Sequence, residues 1–148
     1  MKIVDEKEFA AANVFGKGAD NVAYAQYFIG QSFLKPLTQA GDPIAISNVT
    51  FEPGCRNNWH IHHASKGGGQ ILICTAGEGW YQEEGKDAVS LAPGMVITIP
   101  ANVKHWHGAK KDSWFSHLAF EAPGEELSNE WCEPVDNAQY DALEEGNE

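Results

Sequence analysis

Five of the six histidines in this chain fall in two short runs, His60-Ile61-His62-His63 and His105-Trp106-His107, and the sixth is His117. In an extended strand, residues i and i+2 project to the same face, so His60 converges with His62 and His105 with His107. Imidazole nitrogens brought together from two strands hold a divalent first-row metal without further backbone irregularity. The same alternation turns His63 away from the face of His62. His117 shares its face with Phe115 and Ala119. If that face is inward, His117 enters the same cavity as His107, and both become candidates for proton transfer.

The residues around the histidines make the pattern specific. The first segment runs Gly54, five residues, His60-Ile61-His62, seven residues, Gln70, six residues, Gly77. The second runs Gly94, five residues, Pro100-Ala101-Asn102, two residues, His105. Together they resemble the two signature motifs of the cupin superfamily, over roughly residues 44–121. The resemblance implies a small jelly-roll barrel holding one divalent metal through His60, His62, Gln70 and His105. Gln70 stands where that family usually has Glu, and Ala64–Gly69 lengthens the gap after His62. A narrower group carries the glutamine. The wider context, with Val49–Gly54, Trp59-His60, Thr75–Trp80, Lys104–Ala109, His117–Ala119 and Glu130–Val135, is similar to small single-domain bacterial cupins. That group includes manganese-dependent hydroxynitrile lyases and proteins associated with carboxymuconolactone decarboxylase.

The glutamine has a consequence of its own. Three neutral imidazoles and a neutral amide leave the 2+ charge of a metal uncompensated, where a Glu would reduce it to 1+. The ion is then a stronger Lewis acid and lowers the pKa of a coordinated hydroxyl further. The resemblance implies Mn²⁺, while imidazole-rich ligands also admit Fe²⁺, Zn²⁺, Ni²⁺ or Cu²⁺. The expected chemistry is lyase or proton-transfer work on a small hydroxy or oxo compound, with His107 or His117 moving the proton. Two alternatives are an Fe-dependent dioxygenase and a non-enzymatic module that binds or senses a small ligand.

These residues need strands to position them, and the chain reads as short strands punctuated by turns. Candidates are Tyr24–Leu37 with a break at Gly30, Ile44–Glu52, Gln70–Thr75, Gly79–Gln82, Ala88–Leu91, Val96–Ile99, Val103–Gly108 and Trp114–Glu121. Turn signals every eight to twelve residues predict an all-β sandwich or barrel. Asp5–Val14 and Val135–Glu145 are the exceptions, with Asp136 and Gln139 at capping-box spacing, and predict short terminal helices outside the barrel. Trp59, Trp80, Trp106 and Trp114 are expected to pack rather than to bind substrate. Lys66-Gly67-Gly68-Gly69 lacks the spacing of a phosphate loop and is expected as a lid at the mouth of the site. The direction of Thr50 and Glu52 stays open, because Pro53-Gly54 can reset the strand parity.

At 148 residues the chain is one domain rather than two. It divides into an arm, 1–43, the motif core, 44–121, and an acidic tail, 122–148. The net charge of −11 is unevenly placed: the ten basic residues are balanced by ten acids up to Lys111, and eleven acids follow. With no basic excess anywhere, nucleic acid and anionic membrane surfaces are not expected partners. The N-terminal stretch lacks an apolar export signal, and Cys55, Cys74 and Cys132 have no CxxC spacing, which fits free thiols in the cytoplasm. A homo-oligomer paired through Tyr24–Leu37 is expected, as cupins of this size commonly pair through barrel edges.

Overall fold

The computed structural model describes residues 1–143. Every strand pairing in it is antiparallel, and the strands form two main sheets. One sheet has the order Ala19–Asp20, Ser32–Pro36, Ser47–Phe51, Phe115–Glu121, Gln70–Gly77, Val96–Ile99. In the other, His105–Ala109 lies at the centre. It pairs on one side with Gly79–Glu83, beyond which lies Val89–Leu91, and on the other with Arg56–Asn57 and His60–His63. This is the jelly-roll arrangement expected from the sequence.

Phe51, Leu72, Cys74 and Phe115 of the first sheet meet Tyr81, Leu91 and Ala109 of the second in a shared core between them. Apolar side chains at alternate strand positions produce this layer. The outer faces are apolar too, and the two chain ends cover them. The helix Glu6–Ala12 is capped by the Asp5 side chain, which accepts from the Glu8 N–H at 2.9 Å. It drives Phe9 against Ala76, Phe33 and Trp114 on the first sheet. On the second sheet, Trp59, Trp80 and Trp106 pack under Val135 and Tyr140. The helix there is Asn137–Asp141, with Asp136 as the expected cap, accepting from the Gln139 N–H at 2.8 Å. Residues 144 and 145 of the predicted helix lie outside the described residues.

Several boundaries differ from the sequence reading. Tyr24–Leu37 is a short 3₁₀ turn, Ala25–Tyr27, and two strands in different sheets, Phe28–Ile29 and Ser32–Pro36. Gly30, at φ 87°, carries the chain across, and a Cβ there would lie 3.0 Å from Cys55. Thr50 points outward, fully buried beneath the first helix, where it accepts from Asn13 Nδ2. The Gly-rich run is not a free lid. Lys66–Gly67 pairs with Gly124–Glu125, and a Cβ on Gly69 would meet the Ile99 carbonyl oxygen at 2.3 Å. Nor is the acidic tail merely solvated: its strand Ser128–Trp131 extends the second sheet along His60–His63.

Candidate metal centre

The strand His60–His63 alternates between buried and partly exposed positions, so His60 and His62 face inward together. His63 faces outward and meets Glu130 at 2.7 Å. His105 stands opposite His60 in the antiparallel register, and their ring centroids are 4.2 Å apart. Nitrogens of His60, His62 and His105 all lie within 4.8 Å of one another, and all three residues are buried.

The hydrogen bonds fix which nitrogens face the centre. His60 Nδ1 donates to the Asn58 carbonyl at 2.8 Å, and His105 Nδ1 to the Val103 carbonyl at 2.9 Å. His62 Nδ1 donates to the side-chain oxygen of Asn129 at 2.8 Å. Each ring therefore presents an Nε2 lone pair to the interior. His105 Nε2 is buried and has no hydrogen-bond partner. His62 Nε2 faces the Gln70 side-chain oxygen at 3.1 Å, acceptor against acceptor. Orphaned and opposed lone pairs of this kind are costly without a shared cation. The residues present thus fit a divalent metal, with His60, His62 and His105 as nitrogen donors and Gln70 as an oxygen donor.

Burial favours the neutral form of His60 and His105. It pushes His105 down to about 4 and His60 well below the ordinary imidazole range, the latter helped by its neighbour His105. His107 and His117 are also inside, so the face of Phe115, His117 and Ala119 is the inward one. His117 Nε2 lies 3.1 Å from His107 Nδ1, and one of the two holds the proton between them. Burial drives His107 well below its usual value, followed by the proximity of His117, and brings His117 to about 4. Asn57 pins His107. Its side-chain oxygen accepts the His107 backbone N–H at 2.9 Å, while its Nδ2 lies 3.3 Å from His107 Nε2.

Above the histidines opens a cavity of about 200 Å³. Tyr24, Phe28, Leu34, Val49 and Trp131 form its apolar wall, and among the described residues no Asp, Glu, Lys or Arg lines it. Trp131 sits over His60, with ring centroids 4.8 Å apart, and stacks on Tyr27 at 4.5 Å with the planes 2° apart. As expected, Trp59, Trp80, Trp106 and Trp114 pack in the outer layers instead. All three cysteines are free, and burial raises the thiols of Cys55 and Cys74, the latter to about 12, which makes them poor nucleophiles.

Asn57, Asn129 and Trp131 escaped the sequence reading. Asn57 lies within the first motif, three residues before His60, but an asparagine there carries no spacing signal. Asn129 and Trp131 lie in a stretch that reads as acidic tail, and only the pairing of Ser128–Trp131 with His60–His63 brings them to the site.

Comparison with known proteins agrees with this geometry. A family profile described as "Cupin domain" matches residues 47–117. The chain is 40% identical over 127 residues to an (R)-mandelonitrile lyase of Granulicella tundricola, covering 84% of this chain and 94% of that protein. A cupin-like protein of Thermotoga maritima superposes with a TM-score of 0.76 at 36% identity, over 90% of this chain and 98% of that one. A DMSP lyase of Ruegeria pomeroyi shares the fold alone, with a TM-score of 0.57 at 20% identity over 79% of this chain and 57% of that one. Opposed buried lone pairs at a histidine cluster, a jelly roll and these relatives lead to one conclusion: the chain belongs to the cupin superfamily.

Proposed function

We propose that this protein is a metal-dependent lyase that breaks and forms the carbon–carbon bond of an aryl 2-hydroxynitrile. The observation that supports the reading is the cluster of His60, His62 and His105, with the Gln70 oxygen at His62, beside an aromatic-walled cavity that His60, His62 and Gln70 line. The relative named (R)-mandelonitrile lyase, at 40% identity, supports it. His60, His62, Gln70 and His105 would hold the divalent ion, which would supply Lewis acidity toward a substrate oxygen.

The remaining steps belong to the chain's own side chains. Trp131, Phe28 and Leu34 receive the aryl group and exclude water around it. With His107 Nδ1 donating to His117 Nε2, the His107 Nε2 is left as the acceptor for the substrate hydroxyl proton. The electrons of the breaking carbon–carbon bond leave with cyanide, the hydroxyl carbon becomes an aldehyde, and His107 returns the proton as hydrogen cyanide departs. Asn57 holds the His107 backbone through its side-chain oxygen and sets its Nδ2 beside the imidazole ring.

The test is metal analysis of chelator-free protein together with benzaldehyde release from mandelonitrile. The expected result is about one metal per chain and turnover that is lost with a strong chelator, restored by Mn²⁺ and unchanged without oxygen. Metal-loaded protein that releases benzaldehyde no faster than buffer overturns the lyase reading, and dependence on oxygen points to a dioxygenase.

A further inference from the structure

Two of the three histidines of the centre are oriented by their own strands. His60 and His105 each donate Nδ1–H to a carbonyl two residues back, at Asn58 and Val103, so any chain that forms these strands aims their rings correctly. His62 differs. Its Nδ1 partner is a side chain 67 positions away, Asn129, on a strand that among the described residues pairs with His60–His63 alone. Asn129 stands directly opposite His62 in that pairing, which places the two side chains on the same face. It also lines the cavity.

We propose that Asn129 is the positioning residue for the metal centre: by accepting the His62 Nδ1 proton it fixes the tautomer and the ring plane that aim Nε2 at Gln70. The inference rests on the reading of His60, His62, Gln70 and His105 as metal ligands. The physical basis is general. A ring nitrogen bonded to an acceptor holds one tautomer, and a stronger acceptor makes the opposite nitrogen a better donor to metal. The amide of Asn129 does the first without adding charge. Among the described residues, no carboxylate lines the cavity wall. Trp131, two residues on from Asn129 and therefore on the same face of that strand, lies over His60, so the strand holds both histidines of the first motif at once.

The test measures Zn²⁺ and Mn²⁺ affinity by chelator competition on wild type, Asn129→Leu, Asn129→Asp and His60→Ala. Asn129→Leu removes the acceptor and is expected to weaken binding about 10- to 100-fold. Asn129→Asp restores a stronger acceptor and is expected to bind more tightly than wild type. In the Zn²⁺-loaded protein, the ¹⁵N-coupled Nδ1–H resonance of His62 should shift or vanish in Asn129→Leu while those of His60 and His105 stay. Wild-type affinity in Asn129→Leu, or affinity in Asn129→Asp at or below wild type, overturns the proposal. If Asn129→Leu does not fold, Asn129→Asp alone decides. His60→Ala separates the two readings: full metal retention there would sink the metal centre itself, whereas loss there with no effect at Asn129 sinks only the positioning role.

Discussion

At the scale of single residues, the centre is unusual in what it leaves out. His60, His62 and His105 are buried and oriented through Nδ1, and the candidate fourth donor, Gln70, is an amide. Gln70→Glu inserts a full negative charge at the ion, which is expected to tighten metal binding and slow cyanohydrin cleavage by about tenfold or more, read as kcat in Mn²⁺-loaded protein. His107→Ala removes the proton acceptor without touching a metal donor. It is expected to lower kcat by about 10²- to 10⁴-fold with metal content unchanged, measured by turnover and elemental analysis on the same sample. Loss of metal together with activity would instead make His107 part of the metal scaffold. His60, His62 and His105 were legible from sequence because a strand's period of two turns His-x-His into a geometric statement. Asn57 and Asn129 were not, since an asparagine reveals its role only once the atom it bonds is known.

Elements were legible where turns bracket them. Gly79–Glu83, Val89–Leu91 and Val96–Ile99 lie close to where the Gly and Pro signals put them. The sequence reading failed where a segment depends on pairing rather than on its own composition. Ser128–Trp131 contains Ser, Asn and Glu and looks like solvent-facing tail, yet it forms a strand because His60–His63 offers it an edge. The break at Gly30 in Tyr24–Leu37 was legible, and the structure makes it the point where the chain switches sheets. Glycines carry much of the element-level precision. Gly77 ends the strand Gln70–Gly77 at φ 72°, and a Cβ there would stand 1.7 Å from the Trp114 carbonyl oxygen. Gly77→Ala must therefore displace backbone between the central strands and is expected to cost at least about 2 kcal/mol in a denaturant titration. Gly85→Ala, where a Cβ meets nothing within 4 Å but φ is 83°, is expected to cost about 1 kcal/mol from the backbone alone.

For the whole molecule, the interior histidines tie stability to acidity. His105 and His117 titrate near 4 in the folded protein, against about 6.5 in an unfolded chain. Between those values the unfolded state holds more protons, so stability rises with pH across the window and is lost as pH falls from about 6.5 toward 4. Thermal melts of metal-free protein are expected to show a midpoint lower by at least about 10 °C at pH 4.5 than at pH 7.5, with little change above pH 7. Among the described residues, none of the acids after Lys111 lines the cavity. The register that sets His105 opposite His60 reaches further, into how the chain arrives at its fold. A slip of one residue between those strands would turn either both imidazoles of the first motif or the imidazole of the second toward the outer tryptophan layer. If His60, His62 and His105 chelate an ion as proposed, only the native register can do so, and an ion present during refolding would draw the population toward it by mass action. On the proposed metal reading, the centre would serve as a proofreading clamp, joining two segments 45 positions apart and rewarding only the correct alignment.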